Sequence, residues 1–454
     1  MVATTARPPG PTGLPLIGSL LDLKRDALAT YLAAHRDHGD VVRIQAGPPG
    51  LRAEIWMAFS PEAAQQVLAT DAANFRKDNV FYGEIRESFG NGLLTSQDAD
   101  YLRQRRLVQP LFTRKRVDQY ADAVGAEAEA LTARWAAVPD GTVDLAEEMN
   151  RFALRTVSRI LFGQDVEEAV ETVHHAFPVL NRFVRARALS PLRLPRDWPL
   201  PGHRRALAAE RTLYEVCDGI IARRAAQGNG GADDLLGLLA DARGEDGERL
   251  DATELREQVL IFLLAGHETT ATSLIFALHL LGAHPEQQAR AHREVADLLG
   301  DGRRPTAADY ARLPYLTQVL KEAMRLYPAA PAIGRRAVAD TVIGGVRVPA
   351  GADVLVAPYV THRHPAHWED PERFDPERFT PEREAARHRY AWFPFGGGPR
   401  ACIGQHFSML ESVLALAVLL RGFEVTTVDR EVPLGQGITL ELHGPARVKL
   451  TPRG

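Results

Sequence analysis

The run Phe393-Pro394-Phe395-Gly396-Gly397-Gly398-Pro399-Arg400-Ala401-Cys402-Ile403-Gly404 constrains this chain more than any other segment. Three glycines, a proline and an arginine lead to one cysteine, and an apolar helix is predicted to follow from Met409 to Leu420. A lone cysteine is ordinarily a small buried hydrophobe. The setting points elsewhere. Glycines let the backbone approach a large flat ligand and aim N–H groups at the sulfur. Such donors, with the positive end of a helix dipole close behind, favour the thiolate that binds metal. A single thiolate held this way suits the axial position of haem iron. Cys217 is the one other cysteine, so neither a CxxC zinc site nor a redox dithiol can form. Gly396-x-Gly398-x-x-Ala401 mimics a dinucleotide fingerprint, but Trp392 to Phe395 makes a poor parallel strand with no βαβ unit around it.

The chain has 454 residues, enough for about three domains by length alone. No low-complexity linker or internal repeat divides it, so residues 1–454 read as one domain. A net charge of −4 gives no general case for nucleic-acid binding. Two cysteines almost 200 residues apart fit a reducing cytoplasm rather than a disulfide framework. Residues 1–20 are polar, then proline-rich (Pro8-Pro9-Gly10-Pro11), with no apolar run long enough to span a bilayer. No membrane anchor is expected, and Leu14 to Leu23 is short enough only for a peripheral contact.

Val41 to Gln45 and Ala53 to Phe59 are expected as strands around the turn Gly47-Pro48-Pro49-Gly50. From Pro61 to Glu294 the spacing of apolar residues predicts helices. Breaks fall at Asn91-Gly92, at Pro139-Asp140-Gly141, between Pro191 and Gly202, and at Gly228 to Gly231, where a mobile loop is expected. A second polar turn runs from Arg243 to Gly247. One helix should start near Asp251, capped by Asp251-Ala252-Thr253-Glu254, and run to Leu281. It is apolar almost all round, as a helix buried in a large core must be. Thr341 to Val356 reads as a hairpin turning at Gly344-Gly345. Short strands should recur at Phe423 to Thr427, Ile438 to Leu442 and Arg447 to Leu450.

The order Phe395, Gly398, Arg400, Cys402, Gly404 resembles the haem loop of the cytochrome P-450 monooxygenases. The resemblance covers nearly the whole chain. It implies a mainly α fold, with a large helical domain, a small β-rich region and haem b buried between two helices. Cys402 would be the iron ligand, with Phe395 and Gly404 part of its cradle. In the buried helix, Ala265-Gly266-His267-Glu268-Thr269-Thr270 matches the family's oxygen-activation motif. Buried polar groups without partners cost roughly 2–7 kcal/mol. The structural alternative is a satisfied polar patch at a helix bend, with threonines bonded back one turn. The resemblance assigns Ala265 and Gly266 to the haem face, with Gly266 leaving room for dioxygen. Glu268 becomes a proton relay and Thr269 a hydroxyl serving oxygen activation. His267 does not start a His-Glu-x-x-His zinc motif, because position 271 is alanine.

Glu322 and Arg325 lie three apart on one helix face. On a surface such a pair contributes a few tenths of a kcal/mol. The family reading makes it a buried pair fixing the haem loop, completed by an arginine from Pro371 to Phe374 or Pro376 to Phe379, and Arg378 is favoured. Haem carboxylates need cations or strong donors. The resemblance supplies Arg105 with Tyr101 four residues before it, Arg335, and Arg400. By family position the substrate pocket is lined by Phe81, Tyr82, Ile85, Phe89, Phe262, Ala330, Ile333 and Ile438. Small residues there suit a bulky apolar substrate such as a terpenoid or polyketide ring.

The chain has no flavin or nicotinamide module, so electrons are expected from a ferredoxin or flavodoxin with its NAD(P)H reductase. The basic run Arg103 to Arg116 reads either as a solvated helix face or as the docking patch for that partner. His362, His364 and His367 read as a solvated loop. The expected enzyme is a monomer that hydroxylates a small molecule with O2. The alternatives are a peroxide-driven haem enzyme, which would have little use for Glu268 and Thr269, and a non-enzymatic haem sensor.

Overall fold

The computed structural model describes residues 8–162, 167–226, 234–244 and 247–453. The glycine-rich stretch Gly228 to Gly231 lies outside them. Helices dominate the described chain. The organising element is the helix Ala252–Ala283. Its start is fixed by a reciprocal cap. The Asp251 carboxylate accepts from the Glu254 N–H at 2.8 Å, and the Glu254 carboxylate accepts from the Asp251 N–H at 3.0 Å. It ends where Pro285 begins the next helix, Pro285–Leu299. Leu263, Leu274 and Leu278 are each no more than 2% exposed. Each such side chain contributes roughly 1.5–3 kcal/mol by burial, which offsets the polar residues the helix also carries. By length and composition this helix could cross a membrane, but 78% of its most apolar stretch is buried inside the protein.

The helix Leu145–Phe162 packs along the long helix, and Gln405–Gly422 crosses it from the cysteine side. Apolar residues of both, with Leu316, Val319 and Leu320 of the helix Pro314–Leu326, form the main core.

The β region is small and assembled from distant pieces. A five-stranded sheet runs in the spatial order 41–46, 53–58, 353–356, 333–337, 75–76. Its first two strands are antiparallel in the register Val41↔Ala58. Ile55↔Asp353 begins a parallel pairing across almost 300 residues of chain. The hairpin at Gly344-Gly345 is shorter than expected: it pairs Thr341–Ile343 with Val346–Val348, and Asp353–Val356 leaves for the large sheet. Strands 333–337 and 75–76 carry no clear alternation and were not expected. A three-stranded sheet joins 142–144, 447–452 and 423–427, and Leu434–Gln436 pairs with Leu440–Leu442.

Candidate active site

The cysteine loop is shaped by its glycines and tied at both ends. Gly396 and Gly398 sit at φ of 71° and 64°, in the left-handed region. At Gly398 there is also no space, since a Cβ would fall 1.9 Å from the Leu68 carbonyl oxygen. The Cys402 N–H closes the loop by donating to the Phe395 carbonyl at 2.9 Å. The sulfur faces a cavity and receives the Gly404 N–H. Burial pushes the Cys402 thiol up, while the Gly404 N–H and the Lys77 and Arg105 charges pull it back.

Across the cavity stands the long helix, presenting Ile261, Phe262, Ala265, Gly266, Thr269, Thr270 and Ser273. Tyr82, Ala330 and Ile333 complete the apolar wall with Leu93, Leu94 and Leu161. Four of the residues expected to line the pocket do not. The helix Val80–Phe89 turns only Tyr82 inward. Phe81 lies edge-on to Tyr82, Ile85 is buried in an apolar cluster with Leu180 and Val184, and Phe89 meets Phe177 at a tilt, ring centroids 5.8 Å apart. Ile438 lies outside the wall, packed against the neighbouring apolar cluster, and its N–H donates to the Asn181 side-chain oxygen at 3.1 Å.

Glu268 and Thr269 are adjacent in sequence but point apart. The Thr269 hydroxyl lines the cavity and donates to the Ala265 carbonyl at 2.6 Å. Glu268 reaches away from the cavity, where it accepts from Thr439 at 2.5 Å and Asn181 at 3.3 Å. Burial pushes its carboxyl up to about 7, against those two hydrogen bonds. Relative to an unfolded value of 4.5, the native state then holds the extra proton between pH 4.5 and 7. Stability should fall as pH rises through that window and level off above it. Glu268→Gln, a mimic of the protonated acid, should gain on wild type by roughly 3 kcal/mol from pH 4.5 to 7.5. Urea denaturation at both pH values checks this, and a constant difference would refute it. Gly266 lines the cavity and has a second role. A Cβ there would meet Val157 of the neighbouring helix at 2.8 Å, so the glycine serves helix contact as well as the cavity. His267 turns to Phe177, its Nδ1 bonded to the Leu263 carbonyl.

Four cations border the cavity near the cysteine: Lys77, Arg105, Arg335 and Arg400. Arg105 donates to the Ala401 carbonyl at 3.0 Å, and the Tyr101 hydroxyl donates to that of Pro399 at 2.6 Å. Arg400 lies 3.5 Å over the Tyr101 ring and donates to the Ser96 carbonyl. Burial pushes the Arg400 guanidinium down to about 10, with Arg335 adding repulsion. Burial, with Arg335 and Arg400 close by, pushes the Lys77 ammonium well below the lysine range. Among the described residues none of the four forms an ion pair with a carboxylate. Such a cluster calls for a ligand with more than one negative charge. An enclosed thiol and an unneutralised cationic rim on one apolar cavity fit haem with its two carboxylates. Lys77 was not foreseen, because a lysine in a polar loop segment normally reads as solvated.

Behind the loop, Glu322 and Arg325 are both fully buried and pair bidentately at 2.6 and 2.8 Å. Arg378 meets Glu322 at 3.3 Å, whereas Arg373 is half exposed and offers Arg325 only its carbonyl. The reading of His362 and His364 as a solvated loop is corrected: both are buried. His364 Nε2 and His35 Nε2 share Asp40 Oδ1 at 3.0 and 3.2 Å. The Ala366 N–H donates to His364 Nδ1, which directs the other nitrogen's proton at Asp40. Glu411 is a further unforeseen group. It is fully buried beside Thr270, and burial holds its carboxyl well above the usual range.

A family model described as cytochrome P-450 matches residues 8–443. Cyclooctatin synthase of Streptomyces melanosporofaciens is 38% identical over 90% of this chain and 88% of its own length. Cyclooctat-9-en-7-ol 5-monooxygenase of the same organism is 36% identical over 99% and 96%. Pentalenene oxygenase of Streptomyces avermitilis is 37% identical over 97% and 96%. The crystal structure of the cytochrome P-450DA heme domain superposes with a TM-score of 0.88 at 30% identity, over 99% of this chain and 98% of that one. With an enclosed cysteine facing an apolar, cation-rimmed cavity, and with matches of this extent, the chain belongs to the cytochrome P-450 family of haem-thiolate monooxygenases.

Proposed function

We propose that this single-domain enzyme hydroxylates a cyclic terpenoid. The observation that carries the reading is the cavity: apolar side chains and small alanines face Cys402 across a space closed by Thr269 and its helix. Relatives named for cyclooctatin and pentalenene chemistry support a polycyclic hydrocarbon skeleton. Haem b, bound through Cys402, supplies the power to insert one atom of O2 into a C–H bond, and thiolate ligation favours O–O cleavage. Tyr101, Arg105, Arg335, Arg400 and Lys77 hold its carboxylates or the loop beside them. Phe395 and Gly404 cradle the sulfur side, and Ala265 and Gly266 form the opposite face. Phe262, Tyr82, Ala330 and Ile333 orient the substrate by shape and exclude water. Thr269 keeps a hydroxyl at the reacting side of the cavity, and Glu268 holds an exchangeable proton one residue away.

Electrons come from a ferredoxin or flavodoxin and its NAD(P)H reductase, with the enzyme acting as a cytoplasmic monomer. Exposed Arg106, on the helix that bears Arg105, and Arg114 and Lys115 just after it suit an acidic partner whose docking weakens with salt. The test is turnover of a panel of cyclic terpene hydrocarbons and alcohols with NADPH, surrogate redox partners and isotopically labelled dioxygen. A product carrying one labelled oxygen atom is expected. Thr269→Val should lower product per NADPH by about tenfold or more, with peroxide released instead. Turnover that needs only added peroxide, and ignores the Thr269 change, would overturn the reading.

A further inference from the structure

The buried Glu322–Arg325–Arg378 network has to act on the cysteine loop through something, because its own hydrogen bonds stop short of it. Arg325 donates to the carbonyls of His362, Pro371 and Arg373. Glu322 takes the Asp375 N–H, and Arg378 donates to the Asp370 carbonyl. None of these partners lies between residues 393 and 404. The fully buried connection runs through one imidazole. His362 is fully buried, its carbonyl accepts from Arg325 at 2.9 Å, and its ring Nε2 accepts from the Phe393 N–H at 2.9 Å. The ring also stands edge-on to Phe393, with centroids 5.2 Å apart.

Phe393 is the foot of the loop. Its carbonyl accepts from the Gly396 N–H, and the Phe395 carbonyl accepts from the Cys402 N–H, both at 2.9 Å. Holding the Phe393 amide therefore sets where the turn begins and where the sulfur ends. A second connection, the Trp392 indole to the Lys321 carbonyl at 3.2 Å, is only partly buried. An imidazole can accept at Nε2 only while neutral and protonated at Nδ1. Burial, with Arg325 and Arg363 nearby, keeps it neutral.

We infer that His362 is a positioning residue that couples the buried ion-pair network to the cysteine loop by accepting the Phe393 amide. The inference rests on the haem-thiolate reading only for its spectroscopic readout. Glutamine places an acceptor oxygen near the position of Nε2, whereas methionine matches its bulk and offers only a weak one. The experiment compares His362→Gln with His362→Met in the full-length holoenzyme. Each is reduced, saturated with carbon monoxide and followed in mild urea, as the red-shifted thiolate Soret band converts to the shorter-wavelength band of a lost thiolate. A buried amide left without a partner loosens the foot of the loop, so the methionine variant should convert about tenfold faster than wild type. The glutamine variant should stay within about threefold. Equal rates for the two variants, fast or slow, would overturn the coupling. Hydrogen exchange of the Phe393 amide gives an independent arm: it should be faster in the methionine variant than in the glutamine variant. If wild type itself shows no thiolate band, the haem reading fails, and the exchange comparison still decides the role of His362.

Discussion

Glu322→Gln is expected to prevent accumulation of folded protein, although Glu322 touches no substrate. The mutation leaves the Arg325 guanidinium fully buried with only carbonyl partners, and weakens the hold on Arg378. Removing one member of a buried pair typically costs about 3–5 kcal/mol, because the other charge is left uncompensated. Native stability is only about 5–15 kcal/mol, so the loss takes a large share of it. Denaturation midpoints and the yield of haem-containing protein measure the effect. A Glu322→Leu, Arg325→Met double variant should recover part of the loss, because no buried charge is then stranded at those positions. Recovery should be incomplete. The carbonyls of His362, Pro371 and Arg373 would lose their donor, and Arg378 its acid. A Glu322→Gln protein as stable as wild type would show that the network is not structural.

Cys402→Ser should do the opposite: keep the fold and lose the chemistry. The side chains are similar in size, and a serine oxygen can still accept the Gly404 N–H that now meets the sulfur. Folding free energy should change by no more than about 1 kcal/mol, as for a small swap without cavity or stranded charge. Turnover should become undetectable, since an alkoxide or hydroxyl lacks the electron push of a thiolate. The red-shifted carbon monoxide band should vanish. The four cations remain, so haem can still associate through its carboxylates. A serine variant that retained the band would remove Cys402 from the site altogether.

The two variants separate what the chain reveals at different levels. The cysteine loop was legible because its chemistry is local: glycines, arginine, cysteine and helix start sit within twelve residues. The long helix was legible because a capping box and an all-round apolar surface admit few other readings. Glu268 shows where such reasoning stops. Its type and spacing marked an acid beside a hydroxyl, but a helix turns adjacent residues about 100° apart. The partners that fix its direction, Asn181 and Thr439, lie on other elements. Phe81, Ile85 and Phe89 illustrate the same limit: a short helix next to the pocket offers one face to it, and the sequence did not say which.

The sequence alone marked one cysteine loop, one polar run in a buried helix and a set of basic residues, and the family resemblance implied that they meet around one ligand. Their meeting place was decided by the tertiary structure. It brought Lys77 beside Arg335 and Arg400, from segments more than 250 residues apart, with no ion-paired acid among the described residues. It also buried His362, which a loop of histidines and a proline would leave in water, and set its ring against the Phe393 amide. Such contacts have no local signal. They are enforced by packing the core, and the charge or lone pair acquires meaning only once its neighbours exclude solvent.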